Sequence, residues 1–91
     1  MKNGKYQYYT DAGHGWLAVK RKELEALDLL KLISAYSYQR GGTVYLEEDC
    51  DMGRFFDAKG WKTWADADEH IVSKYVGARS PIRSYERYYE V

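Results

Sequence analysis

A chain of 91 residues has room for one hydrophobic core and not for two. Its 45% apolar and 31% charged content excludes a disordered chain, and no apolar run approaches the ~20 residues of a membrane-spanning helix. Fourteen basic side chains balance fourteen acidic ones, so no net field draws the chain toward nucleic acid or an anionic membrane.

The elements follow in chain order. Tyr6-Gln7-Tyr8-Tyr9-Thr10 is aromatic and β-branched, Asp11-Ala12-Gly13-His14-Gly15 is a dense turn signal, and Trp16-Leu17-Ala18-Val19 resumes the apolar run. Two short strands around a glycine-containing loop predict a β-hairpin. Residues 20–34 are strong helix formers without proline or glycine. Apolar residues at 29, 30, 32 and 33 surround the cylinder, which predicts a break near Asp28 into two short pieces. Ala35-Tyr36-Ser37-Tyr38-Gln39 alternates, as a strand or an extended connector would. Arg40-Gly41-Gly42 is a turn, and Thr43-Val44-Tyr45-Leu46-Glu47-Glu48 is the clearest strand, with Val44 and Leu46 toward the core.

Glu48-Asp49-Cys50-Asp51 places carboxylates where a helix starts, suited to capping free amides. Met52, Phe55, Phe56 and Lys59 then follow helical spacing up to Gly60. Residues 61–68 read as a loop and residues 70–76 as a strand. Ser80-Pro81 can open a terminal helix, with Ile82, Tyr85 and Tyr89 on one face and Arg79, Arg83 and Arg87 as a basic stripe; the same residues can instead run extended and close the sheet. The pattern predicts an α+β domain over residues 1–91: a small antiparallel sheet of three to five strands with two or three short helices on one face. Its expected core is Leu17, Val19, Leu24, Leu27, Val44, Leu46, Phe55, Phe56, Val72 and Val76.

Four features bear on chemistry. His14, between two glycines, suits a general base or a metal ligand only if a partner orients it, and His70 is the only other histidine. Glu47, Glu48, Asp49 and Asp51 put four carboxylates into five positions, of which two or three at most can converge, because Glu47 and Glu48 point to opposite faces of a strand. They read first as a helix cap with a solvated acidic edge, then as a surface for a basic partner, and last as a metal site. Cys50 is the one cysteine, which excludes an internal disulfide, and the carboxylates around it oppose a reactive thiolate. Arg79, Arg83 and Arg87 beside Tyr85 are the best candidates for nucleic-acid contact, though Glu86 and Glu90 interrupt them. The ten tyrosines read mostly as half-buried sheet residues that can also serve a binding surface. The start of the chain lacks the apolar stretch of a signal peptide, so the expected location is the cytoplasm, with no membrane partner and no cofactor.

The runs Gly13-His14-Gly15-Trp16-Leu17-Ala18-Val19, Ile33-Ser34-Ala35-Tyr36-Ser37-Tyr38-Gln39 and Val44-Tyr45-Leu46-Glu47-Glu48-Asp49-Cys50-Asp51, with Ser80-Pro81-Ile82-Arg83-Ser84-Tyr85-Glu86-Arg87 near the end, resemble an uncharacterised family of small proteins encoded by phages and other mobile elements. Residues 61–75 match it least. The resemblance implies a genomic setting and lends no catalytic residues. It implies a small non-enzymatic accessory protein of the anti-defence type, anti-CRISPR-like or anti-restriction-like. Such a protein occupies a host protein, for example a nuclease or a nucleic-acid-binding complex. The expected partner surface is Glu47, Glu48, Asp49 and Asp51 with Tyr36, Tyr38 and Tyr45. The alternative is a nucleic-acid-binding module using Arg79, Arg83, Arg87 and Tyr85, and a third reading is a metal-dependent hydrolase around His14 and the acidic cluster.

Overall fold

The computed structural model describes residues 6–90. The aromatic run Tyr6–Thr10 (β1) and the apolar run Gly15–Lys20 (β2) form the expected hairpin, with Tyr8 opposite Leu17 and Tyr9 opposite Trp16. Asp11 makes the turn: its Oδ1 accepts from the amides of Gly13 and His14, both at 2.9 Å, the local bonding for which aspartate is favoured in turns. Gly15 is needed for close approach. A Cβ there would meet the Tyr8 hydroxyl at 2.2 Å and its ring carbon Cζ at 2.6 Å, and Tyr8 is buried. Gly15→Ala is therefore expected to destabilise the fold by about 1–3 kcal/mol through overpacking, read as an earlier urea midpoint.

The β2 register with Thr43–Glu47 (β4) sets Leu17 against Leu46 and Val19 against Val44, and all four are at most 1% exposed. Tyr38–Arg40 (β3) pairs antiparallel with β4 around Gly41, which takes φ +59°. Ile71–Tyr75 (β5) lies beside β1 and runs parallel to it, and Glu86–Arg87 (β6) pairs antiparallel with β3. The strand order is β5-β1-β2-β4-β3-β6. The fold is α+β, but the sheet has six strands and is mixed, where three to five antiparallel strands were expected. A parallel neighbour requires a crossover connection, and the helices before β5 supply it.

Arg21–Ala26 (α1) ends as expected near Asp28, which holds φ +59°, and Leu30–Leu32 adds one 3₁₀ turn. Met52–Lys59 (α2) ends at Gly60, whose φ of +77° is the left-handed conformation that terminates helices. The segment read as a loop contains a further helix, Trp64–Asp68 (α3). Thr63 Oγ1 accepts from the Asp66 amide and Asp66 Oδ2 accepts from the Thr63 amide, each at 3.1 Å, a reciprocal cap built with aspartate in place of the more usual glutamate. Leu24, Phe55 and Ala67 bring the three helices into one cluster with Leu17, Val19, Val44 and Leu46.

Two expected core residues fall elsewhere. Val72 is 38% exposed and Val76 half-buried, because β5 is an edge strand and only Ile71 turns into the core. The terminal segment is not a helix. Ser80 Oγ caps the Ile82 amide at 3.1 Å, Pro81–Ser84 makes one 3₁₀ turn, and the chain then enters β6, so the extended alternative holds. Since β5 and β6 are opposite edges, residues 76–85 strap the face of the sheet that the helices leave open. Tyr85 packs on Tyr45 with ring centroids 5.2 Å apart, and Tyr88 returns to the core, its amide donating to Ser37 O at 2.9 Å.

Candidate functional site

The strapped face carries Trp16. Alternation along β2 turns Leu17 and Val19 toward the helices and Trp16 the other way, where β1 sets Tyr9 and β4 sets Glu47 opposite it. Trp16 is nevertheless only 2% exposed. The Arg83 guanidinium lies 5.3 Å from its ring centre, and the Tyr38 ring meets it edge-on at 6.3 Å.

Arg83 is held there by Asp11. Its Nε donates to Asp11 Oδ2 at 2.6 Å and its Nη2 to Oδ1 at 3.0 Å, while Oδ2 also accepts the Ser80 amide at 2.9 Å. The Arg83 guanidinium, followed by these amides, keeps the Asp11 carboxyl well below the usual carboxylate range. One buried aspartate thus joins the β1–β2 turn to the strap.

Glu47, at the end of β4, is buried as well. Its Oε1 accepts from the amides of Asp49 (2.8 Å) and Cys50 (2.9 Å), and its Oε2 lies 3.3 Å from His14 Nδ1. Asp51 is fully buried and occupies the residue before α2, but its side chain does not cap that helix. Its Oδ1 accepts the Ser34 amide at 3.0 Å, and its Oδ2 accepts the hydroxyls of Ser34 (2.7 Å) and Ser37. The capping role read for this position is therefore replaced by one of tying down residues 34–37. Glu48 Oε2 accepts the Tyr8 hydroxyl at 2.7 Å; burial first, and then this carboxylate, push the Tyr8 pKa up. Of the four acidic residues only Asp49 stands exposed.

These placements make a cleft of about 320 Å³. It gathers Tyr36, Tyr38, Glu47 and Asp49 from the expected partner surface, together with His14, Cys50 and Arg87, and Trp16 and Arg83 from the strapped face. Asp51 lies beneath its wall, and Tyr45 sits further along the sheet under Tyr85. Tyr36 is 64% exposed. His14, Glu47, Glu48 and Asp49 each offer a ligand atom within 4.8 Å of the others, so three of the four carboxylates converge, because the chain leaves the strand after Glu47 and turns Glu48 back. Those oxygens are largely engaged already, with two amides, the Tyr8 hydroxyl and His14. The Cys50 thiol, though the residue is exposed, is pushed up by partial desolvation and then by Glu47, against use as a nucleophile at neutral pH.

The basic stripe does not form. Without a terminal helix, Arg79 is exposed, Arg83 is spent on Asp11, and Arg87 lies 5.0 Å from the Tyr38 ring centre with Nη1 on Ala35 O at 3.1 Å. Tyr85 is covered by the Arg40 guanidinium at 5.0 Å. Trp16 and the Asp11–Arg83 pairing escaped sequence reasoning. Trp16 carried a usable signal, since alternation sets it opposite Leu17. Asp11 and Arg83 lie 72 residues apart and carried none. A larger open groove of about 750 Å³ runs along Lys20, Arg21 and Lys22, with no buried unpartnered polar group in its walls. Among the described residues no helix is long and apolar enough to cross a membrane. The chain finds no match among protein-family models, curated proteins or solved structures.

Proposed function

We propose that this chain works by binding and not by catalysis: it is a small accessory protein of a mobile element that occupies and inhibits a host protein, and the cleft beside the strap is its recognition surface. The observation that carries this reading is how the polar groups are used. Asp11, Glu47, Asp51 and Arg83 are engaged with one another, with backbone amides or with hydroxyls, and the exposed groups left at the cleft are Tyr36, His14, Asp49, Cys50 and Arg87, with half-buried Tyr38 and buried Trp16 behind them. A preorganised patch of exposed Tyr36 and half-buried Tyr38 beside the exposed carboxylate of Asp49 has the composition of interface anchors, and rigidity lowers the cost of binding. The resemblance of Gly13–Val19 and Val44–Asp51 to mobile-element proteins supplies the host setting.

The test is capture of a stoichiometric partner from lysate of the cell that makes the chain, followed by affinity measurement with the purified pair. The double variant Tyr36→Ala/Asp49→Lys is expected to weaken binding at least tenfold, about 1.4 kcal/mol. Tyr75→Ala removes an equally exposed tyrosine, 65% against 64%, from the far edge strand and is expected to leave affinity unchanged. Equal affinity for both variants would remove the cleft from the account.

A second reading, metal-assisted hydrolysis, draws on the convergence of His14, Glu47, Glu48 and Asp49. It requires Zn²⁺, Mn²⁺ or Mg²⁺ to raise the melting temperature. The binding reading expects no such rise, because an ion must displace the His14–Glu47 contact and compete with the bonds to these carboxylates. The nucleic-acid alternative loses its basic stripe and has only Arg79 and Arg87 of its three arginines outside the Asp11 pair.

A further inference from the structure

The sheet carries a charge pattern that the balanced total of the chain conceals. Cross-strand partners share a face, so Lys20, Arg40 and Lys74 stand on the side of Tyr9, Tyr45 and Trp16, away from the helices. Among the described strand residues on that side only Glu47 is acidic, and it is buried on two amides. The helices α1 and α3, on the other side, carry Glu23, Glu25, Asp66 and Asp68. The strap crosses the face at Asp11, Trp16 and Tyr45. It leaves Lys20, Arg40 and Lys74 exposed, and even Ala18, on a central strand, is only half-buried. Among the described residues none of these three cations makes an ion pair, and the Arg40 guanidinium rests 5.0 Å from the Tyr85 ring centre. A guanidinium held by a ring keeps its N–H donors for another group. Tyr9, Tyr45 and Tyr85, with Pro81 and Ile82, line a pocket of about 160 Å³ on this face, and no charged side chain lines it.

We infer that this face binds single-stranded nucleic acid: phosphates pair with Lys20, Arg40 and Lys74, and a base enters against Tyr9, Tyr45 and Tyr85. Each nucleotide brings one negative charge and one flat ring, and cations set around tyrosine rings answer both. An acidic peptide would meet the cations and bring no ring for the pocket. In a duplex the bases are stacked and offer no free ring face. From β3 to β5 the face crosses four strand spacings, roughly 19 Å, the reach of a few nucleotides. The site is separate from the cleft and from the protein partner proposed for it, and it does not use the Arg79, Arg83 and Arg87 stripe that the fold takes apart.

The experiment titrates the full chain into a fluorescein-labelled oligothymidylate of about twelve nucleotides and follows anisotropy at several salt concentrations. The expected result is saturable binding whose log K falls against log salt with a slope of about −2, that of three phosphates of a single strand. Lys20→Gln, Arg40→Gln and Lys74→Gln, all at exposed positions, are each expected to weaken binding several-fold and to flatten the slope by about 0.7. Arg54→Gln, exposed on α2, is expected to do neither. Tyr45→Phe should keep the affinity and Tyr45→Leu should lose about fivefold or more. If Tyr45→Leu folds poorly, 2-aminopurine placed in the oligonucleotide reports the same contact in the parent chain, where its fluorescence is expected to be quenched by stacking. The competing probes are a glutamate oligopeptide of equal charge, a duplex of equal length and phosphatidylglycerol vesicles, each expected to bind at least tenfold more weakly. No binding at low salt, an equal loss in Arg54→Gln, 2-aminopurine fluorescence unchanged at saturation, or a competitor that binds as well as the oligothymidylate would overturn the inference.

Discussion

Asp11→Ala is expected to be among the most damaging single substitutions in the chain. It leaves three amides, those of Gly13, His14 and Ser80, without an acceptor, at about 1 kcal/mol each, and strands the Arg83 guanidinium over Trp16. A loss of about 3 kcal/mol lowers the melting temperature of a domain this size by roughly 15 °C. Arg83→Ala should cost less, because the three amides keep their acceptor. The same carboxylate gives the fold a signed pH dependence. Its folded-state pKa is depressed, chiefly by Arg83, so the stabilisation is complete above the unfolded value of about 3.9 and fades as pH falls through that value toward the lowered one. Acid unfolding below about pH 4 is therefore expected in the parent chain and should be much shallower in Asp11→Ala, when melting temperature is followed from pH 7 down to pH 2. An Asp11→Ala chain that melted within a degree or two of the parent would contradict this account of the strap.

Asp51→Ala is expected to be of similar size, by a different route. Asp51 is fully buried and accepts from Ser34 N, Ser34 Oγ and Ser37 Oγ. Removing it strands three donors, a cost of about 3 kcal/mol at about 1 kcal/mol each. Ser37 is a hub, since its hydroxyl accepts the Glu47 amide at 2.9 Å and its carbonyl accepts the Tyr88 amide at 2.9 Å. Hydrogen exchange should therefore speed at Glu47 and Tyr88 beyond the global loss, with the β1–β2 hairpin accelerated least. Asp51→Asn, which keeps one acceptor oxygen, is expected to fall between the two. Because residues 34–37 carry Tyr36, either variant should also weaken partner binding, whereas Asp11→Ala acts on the cleft through Arg83 and the His14 turn.

What was legible in the sequence was what local chemistry decides. The hairpin followed from alternation around a turn-rich loop, the break at Asp28 from apolar residues on every side of one helix, and the end of α2 from Gly60. The Val44 and Leu46 positions followed from period two in the clearest strand. The cap at Thr63 was overlooked because aspartate replaced the expected glutamate three residues on. What long-range pairing decides was not legible. Nothing local says that β5 returns parallel to β1, that residues 76–85 cross the open face, or that Asp11 meets Arg83. The acidic cluster shows the limit most plainly. Composition marked Glu47, Glu48, Asp49 and Asp51 as one charged edge, yet two of them are buried and serve the backbone, a distinction that depends on which amides and hydroxyls the fold brings to them.

The central claim is that the chain acts by presenting the strap-side cleft to a partner. Amide hydrogen exchange of the purified complex against the free chain tests it most directly. Added protection is expected in residues 34–38 and 48–50, on either side of Trp16, with Ile71–Tyr75 unchanged. Protection confined to the helical face, with residues 34–38 and 48–50 exchanging as fast as in the free chain, would contradict it.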